Sequence, residues 1–576
     1  MDMFSSCHAQ ARGTHRSWKA RFGGPRLACV LRSAIGCAVL ALLLIDPALA
    51  RSGEGRNELA ALIERGLEQL PPQVSEDLRD SIASAYARRA HAPFWLNGSA
   101  PSVRGIELLR ALQGAAENGI DPSDYRTSEL SARLERLTAS PVSASALASL
   151  DIALSVAAAS YGHDLHYGRV LPRDAGFDMP ARSASFDAGQ LLEDILQQGA
   201  TKALAAMEPP FHHYRTLKTA LARYRQLALD PHLTALSPPA TTSIRAGDEY
   251  AGAPELRRLL TAFGDLQVAP AVESMIFDEA LAAALERFQF RHGLARDGVL
   301  GRQTFAALTV PLQARVRQME LTLERFRWLP ALDAPSIIVN IPQFRLFAFR
   351  SNDDSEAQML SMDVIVGRTF NPTPAFAGDM KYLIFRPYWD VPYSIAKAEI
   401  LPRLRRDPAY LDAQNMEIVD SQSDRANVVE ATPQNIELVA KGKYRVRQRP
   451  GPENALGLVK FMLPNHYNVY LHSTPAQQLF QRSQRAFSHG CIRVSDPIAL
   501  AQYVLRDTDW TQEEIVAAMQ GTAPRRVNLP RNIRVLILYG TAVASEAGRV
   551  SFFEDLYGND ARLEQLLARR RMMVEP

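Results

Sequence analysis

Apolar residues recur at helical spacing through residues 57–229, a segment rich in Ala, Leu and Arg. Spacing of this kind places apolar side chains on one face of a helix. Helices are expected to end at Gly119 and at Gly162, because glycine commonly follows the last helical residue. The pattern predicts a helical scaffold domain, to which we assign residues 51–240.

Four histidines lie in this helical region, at His163, His166, His212 and His213. Two histidines within three residues can ligate a metal ion. However, no cysteine and no repeated acidic pattern joins them. We therefore interpret them as solvated or core-edge side chains and predict no metal.

A polar linker composition over residues 230–254 separates the scaffold from a short module. Asp278 is the expected N-cap of a helix that runs through Arg291. Gly293 suits the left-handed position after the end of that helix. Turns then lead into a second short helix over residues 304–308.

The module resembles the small three-helix peptidoglycan-binding domain. The resemblance rests on residues 284–304, which run ALERFQFRHGLARDGVLGRQT. It implies a module that grips glycan or only positions the rest of the chain, and we assign residues 241–312 to it. Its apolar residues build a core in either case.

Strand patterns begin beyond Pro330. Short runs of branched and aromatic residues are typical of β-strands. They lie at residues 337–341, 345–349, 364–367, 382–385 and 459–463. We assign residues 335–545 to a mostly-β domain and residues 546–576 to a C-terminal extension. The predicted fold class is therefore multidomain α+β.

A long polar insert, residues 396–452, interrupts the series of strands. It is rich in Arg, Pro, Asp and Asn and shows no stretch that looks buried. A long segment of this kind beside a catalytic site often closes over the substrate. We interpret it as a cap over the site, and a surface excursion without function is the alternative.

The motif Ser488-His489-Gly490-Cys491 is the strongest chemical signal. Cys491 is the single cysteine beyond residue 50, and His472 lies fifteen intervening residues before the motif. A lone thiol forms no internal disulfide, and one cysteine supplies only one of the four ligands that a structural zinc site needs. We predict that Cys491 is a catalytic nucleophile and that His472 is its base.

Two other interpretations of these residues are open. A buried cysteine often serves only as a small hydrophobe. His472, His489 and Cys491 could also ligate a metal, but the thiol would then be occupied and no acidic fourth ligand is evident. His466 follows a turn and is expected to be structural or exposed.

The chain around His472 predicts how base and nucleophile meet. Residues 468–472 look like a strand, and period-two alternation places Tyr470 and His472 on one face, with Val469 and Leu471 facing the core. A short helix that returns the chain toward Cys491 is expected next. Its signals are Thr474 as N-cap, Pro475 at the first position and Gln477 as the capping-box partner. Asp496-Pro497 should begin a further helix.

A thiol needs help to react at neutral pH. With an ordinary pKa near 8.5, only about 3% is thiolate. We expect the imidazole to lower that pKa by roughly two units. Acyl transfer also builds an oxyanion, and each backbone N–H aimed at it contributes about 3 kcal/mol. Gly490 has no Cβ, so the backbone can bend until successive N–H groups converge.

Residues 470–496 resemble the catalytic domain of L,D-transpeptidases of the YkuD type. The pattern of that family is a histidine, about fifteen residues, and then Ser/Thr-His-Gly-Cys. The resemblance implies that Cys491 is the nucleophile and His472 the base. It also implies that the carbonyl of Ser473 orients the imidazole.

The same resemblance assigns the surroundings of the thiol. The backbone of His489–Cys491, beside Ser488, would form the oxyanion hole, and Tyr470 would lie close to the substrate. At Arg493 compact members often have Asn, whereas larger members have Arg. A guanidinium there can hold a substrate carboxylate. The order of signal, scaffold, binding module and capped catalytic domain also resembles the large periplasmic members, as do residues 386–392 and 448–457.

The resemblance implies a transpeptidase that forms 3→3 cross-links in peptidoglycan. The thiol would attack after the third stem residue, release the terminal D-alanine and keep a thioester, which an amine of another stem would resolve. Hydrolysis of that thioester, as in a carboxypeptidase, is one alternative, and a wall-binding protein without activity is another. The reaction needs no cofactor, and carbapenems should acylate the thiol. The acceptor could equally be a lipoprotein or a free D-amino acid.

The first fifty residues predict export. Six basic residues precede an apolar run from Ile35 to Ile45, and Ala48-Leu49-Ala50 matches a cleavage site. Eleven apolar residues are few for a span, which takes about 20. We therefore predict a signal peptide over residues 1–50 and a periplasmic protein. An uncleaved signal would instead anchor it in the inner membrane.

Charge excludes one class of partner. The chain carries 65 basic and 62 acidic residues, and six and two of these lie in the first fifty. The remaining 59 and 60 leave a net charge of −1, which argues against nucleic acid. The expected partners are peptidoglycan stems and glycan, with other wall-synthesis enzymes left open.

Overall fold

The computed structural model describes residues 47–139, 142–180, 182, 185–233, 236–267, 274–330, 336–351, 358–421 and 426–574. The chain divides into two units, Met1–Glu54 and Gly55–Pro576, and the account below concerns the second. All but the last four residues of the predicted signal peptide, with its three cysteines, lie outside the described residues. Those last four belong to the first helix.

The scaffold is helical, as its apolar periodicity predicts. Its elements are α1 (Pro47–Glu68), α2 (Glu76–Arg88), β1 (Leu96–Asn97), β2 (Ala100–Pro101), α3 (Val103–Gln113), α4 (Thr127–Ala139), α5 (Ala144–Tyr167), α6 (Ala188–Gln198), α7 (Ala200–Ala205) and α8 (His212–Leu227). Helices α1 to α7 share one apolar core. Within the described residues, α5 alone has the length and hydropathy of a membrane-spanning helix, and 61% of its apolar window is buried inside the protein.

The expected helix end at Gly162 is wrong, because this glycine lies inside α5, which continues to Tyr167. A Cβ at this position would overlap the side chain of Leu191 on α6 and lie 3.2 Å from Phe186. The glycine therefore permits close packing between two helices. The other expected end, at Gly119, is confirmed by its left-handed backbone after a 3₁₀ turn.

The described parts of the small module, residues 241–267 and 274–312, contain three helices. Its elements are β3 (Ser243–Ile244), α9 (Ala253–Phe263), α10 (Glu279–Arg291), β4 (Leu300–Gly301) and α11 (Arg302–Leu308). Asp278 caps α10 by accepting a hydrogen bond from the Leu281 N–H, as its sequence predicts. Gly293 has a φ of 66°, the left-handed conformation expected after that helix.

Helix α12 (Leu312–Arg327) leads from the module into the β-rich domain. Near its end it carries Glu324 and Arg327, both fully buried and 2.8 Å apart. Glu324 also lies 3.5 Å from Arg169 of the scaffold. Because unpaired charges are costly to bury, these pairs compensate one another where the scaffold meets α12.

The β-rich domain is built on one large sheet. Its strands are β5 (Ser336–Asn340), β6 (Arg345–Phe349), β7 (Leu360–Gly367), β8 (Ala377–Phe385), β13 (Val459–Met462), β14 (Leu471–His472), β15 (Ala486–Ser488), β16 (Ile492–Val494) and β17 (Arg525–Leu538), numbered along the chain with the cap strands given below. Their order is β15-β7-β16-β14-β13-β8-β17-β5-β6. Since β6 also pairs with β7, the strands from β7 to β6 in this order form a closed sheet around a shared core. Strand β15 pairs with β7 outside this closed series.

The insert has a hydrophobic core of its own, so the expectation that it holds no buried stretch is wrong. Its elements, together with two that precede residue 396, are β9 (Trp389–Asp390), α13 (Tyr393–Ile395), α14 (Leu401–Leu404), α15 (Tyr410–Ala413), β10 (Met416–Val419), β11 (Val428–Val429), α16 (Pro433–Ala440) and β12 (Arg445–Gln448). The strands form a sheet in the order β11-β10-β12-β9. The apolar residues of this cap are scattered in short elements, which hides the core from a search for apolar runs.

The last elements are α17 (Pro497–Leu505), α18 (Gln512–Gln520), β18 (Ala542–Ala544), β19 (Val550–Phe552) and α19 (Asn559–Val574). Asp496 caps α17 by accepting from the Ala499 N–H, as predicted. Leu563 and Leu567 of α19 are buried in the core of the closed sheet. The predicted multidomain α+β fold is confirmed.

Candidate functional site

His472 lies near the middle of a cross-strand row of basic residues. Strand β14 pairs with β13 on one side and with β16 on the other, so that Lys460, His472 and Arg493 are in register. His472 is 4% exposed. Its Nδ1 lies 2.6 Å from the Ser473 carbonyl oxygen. A carbonyl can only accept, so Nδ1 carries the proton and Nε2 remains a proton acceptor.

The electrostatic surroundings keep this imidazole neutral. Burial, together with the charges of Arg493 and Lys460, lowers the pKa of His472 to about 3, although hydrogen bonds to the backbone of Ser473 and Leu456 oppose this shift. At neutral pH the ring is therefore uncharged. A neutral imidazole with a free Nε2 is the form that a general base needs.

Ser473 is fixed by the backbone that precedes β13. Its Oγ accepts hydrogen bonds from the N–H of Leu458, at 2.6 Å, and of Val459, at 3.3 Å. Gly457 has a φ of 61°, and a Cβ there would overlap Ser473 Oγ. The glycine thus leaves the space that Ser473 occupies, and Ser473 in turn holds His472.

The strand and helix predicted around His472 are only partly present. Val469 and Leu471 are buried as expected. The strand itself covers only Leu471–His472, because Asn468 has a φ of 55°. The predicted capping box is wrong: Thr474 Oγ1 accepts from the Ala476 N–H in a tight turn, and the following 3₁₀ helix, Gln477–Gln481, has no side-chain cap.

Cys491 lies in the tight connection between β15 and β16, beside the strand of His472. Strands β14 and β16 are parallel neighbours, with Leu471 paired to Ile492. The Ile492 N–H donates to the Tyr470 carbonyl at 3.1 Å. The connection turns at Gly490, whose φ of 114° favours glycine. The fold therefore places Cys491 just before the strand that neighbours the strand of His472.

The thiol contacts residues that precede His472. Its Sγ lies 3.8 Å from the Asn468 carbonyl oxygen, to which it donates. Tyr470 also hydrogen-bonds the thiol and lies with its ring centroid 5.7 Å from that of His472. Among the described residues no hydrogen bond joins Cys491 directly to His472.

The expected lowering of the thiol pKa is wrong for this structure. Burial raises the pKa of Cys491, although Tyr470, Arg493 and Lys460 oppose that rise. A neutral imidazole supplies no charge to hold a thiolate. At neutral pH the thiol and the imidazole are thus both uncharged.

The backbone N–H groups of the motif differ in whether they already donate a hydrogen bond within the protein. The Gly490 N–H is 3.1 Å from Ser488 Oγ, to which it donates, and Ser488 Oγ donates to the Cys491 carbonyl at 2.6 Å. In the part of the chain that the structure describes, the amides of His489 and Cys491 have no acceptor. These two amides, rather than that of Gly490, can receive an oxyanion.

A threonine that sequence reasoning missed supports this loop. Buried Thr373 donates from Oγ1 to the Gly490 carbonyl and accepts from the Gly367 N–H, both at 2.8 Å. Tyr557 donates to the Gly367 carbonyl at 2.6 Å. Neither residue lies near the motif in sequence, so only the fold shows that they hold it.

The cap reaches the motif through a second residue that the sequence did not reveal. Glu399, on a π-helical turn of the cap (Ala396–Ile400), places Oε1 2.7 Å from His489 Nε2. At the cap exit, Asn454 Nδ2 donates to the carbonyls of Pro387 and Arg449. The cap is therefore tied both to the strand it leaves and to the motif.

Arg493 is in the same row as His472 and is half-buried. Its Nε is buried without a hydrogen-bond partner in the described structure. Lys460 Nζ stands 5.6 Å from the ring centroid of Tyr470. The side of the site next to the thiol is accordingly cationic and suits an anionic ligand. No group of three or more His, Cys, Asp or Glu residues that could hold a metal lies together among the described residues.

Three family models match this chain. Residues 80–221 match a scaffold domain, residues 251–308 match a model described as "Putative peptidoglycan binding domain", and residues 334–524 match the YkuD-type L,D-transpeptidase catalytic domain. The site described above lies within the third range. The predicted start of the catalytic domain differs from the matched range by one residue and the other predicted boundaries by 4 to 29 residues, and all of them stay predictions.

A curated protein of Haemophilus influenzae, named "Putative L,D-transpeptidase", is 32% identical over 284 residues, which are 48% of this chain and 55% of that protein. The chain thus spans about half the length of the curated relative it matches. Solved structures that match include the following two. An L,D-transpeptidase from Xylanimonas cellulosilytica has a TM-score of 0.17 and 17% identity over 52% of this chain and 100% of its own. A fused Zn-dependent amidase/peptidase/peptidoglycan-binding domain-containing protein from Clostridium acetobutylicum has a TM-score of 0.15 and 14% identity. The match covers 51% of this chain and 99% of that protein's chain. Scores this low carry no argument.

Proposed function

We propose that this chain, which carries a YkuD-type L,D-transpeptidase catalytic domain and a peptidoglycan-binding domain, forms 3→3 cross-links in peptidoglycan through a thioester on Cys491. The observation that carries the proposal is the pairing of β14 with β16. This pairing sets a neutral, oriented His472 on the strand beside the thiol.

Acylation would begin with proton transfer from Cys491 Sγ to His472 Nε2 as the sulfur attacks the carbonyl carbon of the third stem residue. The negative charge on the carbonyl oxygen would be stabilised by the amides of His489 and Cys491. The C–N bond would then break, and the imidazolium would return its proton to the departing D-alanine. A thioester and a neutral imidazole remain.

Cross-linking would follow when the side-chain amine of a diaminopimelate on another stem attacks the thioester. His472 would take a proton from that amine, and the thiolate would leave and be protonated. Water in place of the amine would give hydrolysis. The cap, tied to the motif through Glu399 and His489, would govern which of the two enters.

The proposal also covers location and partners. A periplasmic location follows from the signal-like first fifty residues, and glycan binding by residues 251–308 follows from the module they match. Acylation by carbapenems follows from the thiol nucleophile. Enzymatic activity on cell walls and the location of the protein in the cell are measured separately. Either proposal can be wrong while the other holds.

The decisive experiment incubates the full chain with a tetrapeptide stem and follows the mass of the protein and of the products. We expect a thioester adduct, released D-alanine and, with an acceptor stem, a cross-linked dimer. Cys491→Ala should form none of these while keeping its fold. A tripeptide product without dimer would instead identify a hydrolase. A wild-type protein that forms no adduct with either the stem or a carbapenem would be a binding protein only.

A further inference from the structure

A groove of about 630 Å³ lies between the small module and the β-rich domain, and Cys491 is not among the residues that line it. One wall is helix α10 of the module, where Arg287, Phe290 and Arg291 share a face at helical spacing. The other wall includes residues of β5, β6 and β7. A cleft of this volume between two domains is typical of a ligand-binding site.

Aromatic rings lie in both walls of the groove. Strand β6 alternates, so that Leu346 and Ala348 are buried in the core of the closed sheet, whereas Phe347 and Phe349 are half-buried and line the groove. In the opposite wall Phe290 is 65% exposed. Three phenylalanines thus form an apolar surface that the fold itself does not cover.

The groove carries surplus positive charge. Five arginines and two aspartates line it, which gives a net charge of +3. Asp363 is shared by Arg345, at 3.1 Å, and Arg485, at 3.0 Å, so its single charge does not balance both guanidinium groups. Exposed Arg549 forms no ion pair among the described residues. The groove therefore attracts an anionic ligand.

Hydroxyl and amide side chains complete the lining. Gln343, Ser361 and Ser551 contribute polar groups. Ser545, which follows β18, also lines the groove, and its Oγ is buried without a hydrogen bond in the described structure. A buried hydroxyl without a partner is costly, and a polar group of a ligand can offset that cost.

A strand of peptidoglycan matches these three features. The pyranose rings of its glycan have C–H faces that stack on aromatic rings, and hydroxyl edges that hydrogen-bond to polar side chains. Its stem peptides carry free carboxylates, which guanidinium groups bind through paired N–H donors. The α10 wall also lies within residues 251–308, the range that matches the peptidoglycan-binding model.

The groove approaches the catalytic motif along β15. Arg485, in its lining, comes directly before β15 and three residues before Ser488. Three residues of a strand span about 10 Å. An extended tetrapeptide stem reaches up to about 14 Å. A stem attached to a glycan in the groove is therefore long enough to reach the motif.

We infer that the groove between α10 and β6 binds a glycan strand of peptidoglycan, with sugar rings on Phe290 and Phe347 and stem carboxylates on the arginines. The binding surface is thus shared by the module and the catalytic domain, and it supplies stems to Cys491 from the strand held there. The inference rests on the proposed function, since it takes the cell wall as the substrate.

The first test measures the binding of soluble glycan strands of fixed length that carry uncross-linked tetrapeptide stems. The full chain with Cys491→Ala is used, so that the strands are not turned over. In this background Phe290→Ala and Phe347→Ala should each raise Kd by about three- to tenfold, because a sugar ring loses its stacking partner. Val103→Ala, at a 72% exposed apolar residue of α3, is the control and should leave Kd unchanged.

The charge of the groove is tested in the same assay. Arg549→Gln should raise Kd by about two- to fivefold at low salt and by less at high salt, because exposed charges are screened by ions. Arg110→Gln, exposed on α3, is the matched control and should leave Kd unchanged at both salt concentrations.

A second measurement connects binding in the groove with turnover. It compares kcat/KM on stems attached to a strand with kcat/KM on the free tetrapeptide, with Cys491 intact. Wild type should prefer the attached stems by about 10-fold or more, because the groove raises their local concentration at the motif. In Phe290→Ala and Phe347→Ala this preference should fall toward one, mainly because the attached stems lose rate.

The outcomes separate the inference from the function on which it rests. If both Phe variants bind strands as tightly as their parent, the groove takes another ligand, such as a segment of a partner protein, and the inference is overturned while the transpeptidase stands. If both variants lose binding but wild type turns over no stem, the groove remains a strand site and the proposed function is refuted. Should Phe347→Ala not fold, the exposed Phe290 and Arg549 decide.

Discussion

Glu399 Oε1 lies 2.7 Å from Nε2 of His489, and this bond joins the cap to the residue between Ser488 and Gly490. The two side chains are 90 residues apart in sequence. His489 supplies one of the two amides that can receive an oxyanion. A bond to its ring therefore couples the position of the cap to the position of that amide.

Replacing Glu399 with Gln should loosen this coupling without removing the cap. Partly exposed pairs contribute about 0.5–1 kcal/mol, so we expect an effect of roughly two- to fivefold. The effect should appear as more hydrolysis relative to cross-linking, because water enters when the cap opens. Quantifying tripeptide and dimer products from one reaction checks this. Lys397→Gln, exposed on the same turn, is the control, and an equal change in both variants would refute the coupling.

The lowered pKa of His472 predicts how stability depends on pH. The pKa is about 3 in the folded protein and 6.5 ordinarily. Between these values the unfolded chain binds a proton that the folded chain does not. Stability is therefore complete above pH 6.5 and falls as the pH drops toward 3, by up to about 1.4 kcal/mol per unit.

His472→Gln should remove this dependence. From pH 7 to pH 5 the wild type should lose about 2 kcal/mol more free energy of unfolding than the variant. Urea unfolding of both proteins at both pH values measures the difference. His232→Gln, on an exposed turn, is the control and should lose as much free energy of unfolding between pH 7 and pH 5 as the wild type does. If His472→Gln also loses as much free energy of unfolding as the wild type, the fold does not keep the imidazole neutral.

The sequence predicts the elements whose signals are local. Asp278 and Asp496 cap the helices that follow them, because an N-cap needs only a side chain and an amide three residues away. The alternation at Val469 and Leu471 likewise identifies the buried face. The spacing of His472 and Cys491 predicts a chemical pair, and this stays a prediction; the structure places His472 on β14 and Cys491 just before the neighbouring strand β16.

Features that depend on distant contacts were not predictable. Gly162 is a helix-packing residue only because Leu191 faces it. Thr474 satisfies a turn instead of capping a helix, and the cap core assembles from short elements far apart in sequence. Thr373 and Glu399 carry no motif, and their roles appear only when the fold brings them to Gly490 and His489.

Thr373 should be required for both the stability and the activity of the site. Thr373→Val would leave the buried Gly367 N–H and Gly490 carbonyl without their partner, at a cost of about 2 kcal/mol or more. The displaced loop should slow thioester formation by about 10- to 100-fold. Thr373→Ser keeps the hydroxyl and should restore most of the rate. Thr369→Val, exposed in the same loop, should match wild type, and an active Thr373→Val would show that the loop holds its own shape.

Gly457 should be indispensable for the orientation of the base. In Gly457→Ala the new Cβ would overlap Ser473 Oγ and lie 2.7 Å from the Thr474 nitrogen, at a φ of 61° that side chains rarely adopt. We expect a loss of about 1–3 kcal/mol in stability. Because the Ser473 carbonyl holds His472 Nδ1, kcat should fall while KM changes little. Gly301→Ala, where no atom lies within 4 Å, is the matched control. Kinetics of both variants on one stem decide the matter: a Gly457→Ala protein with wild-type kcat would mean that the imidazole does not depend on Ser473.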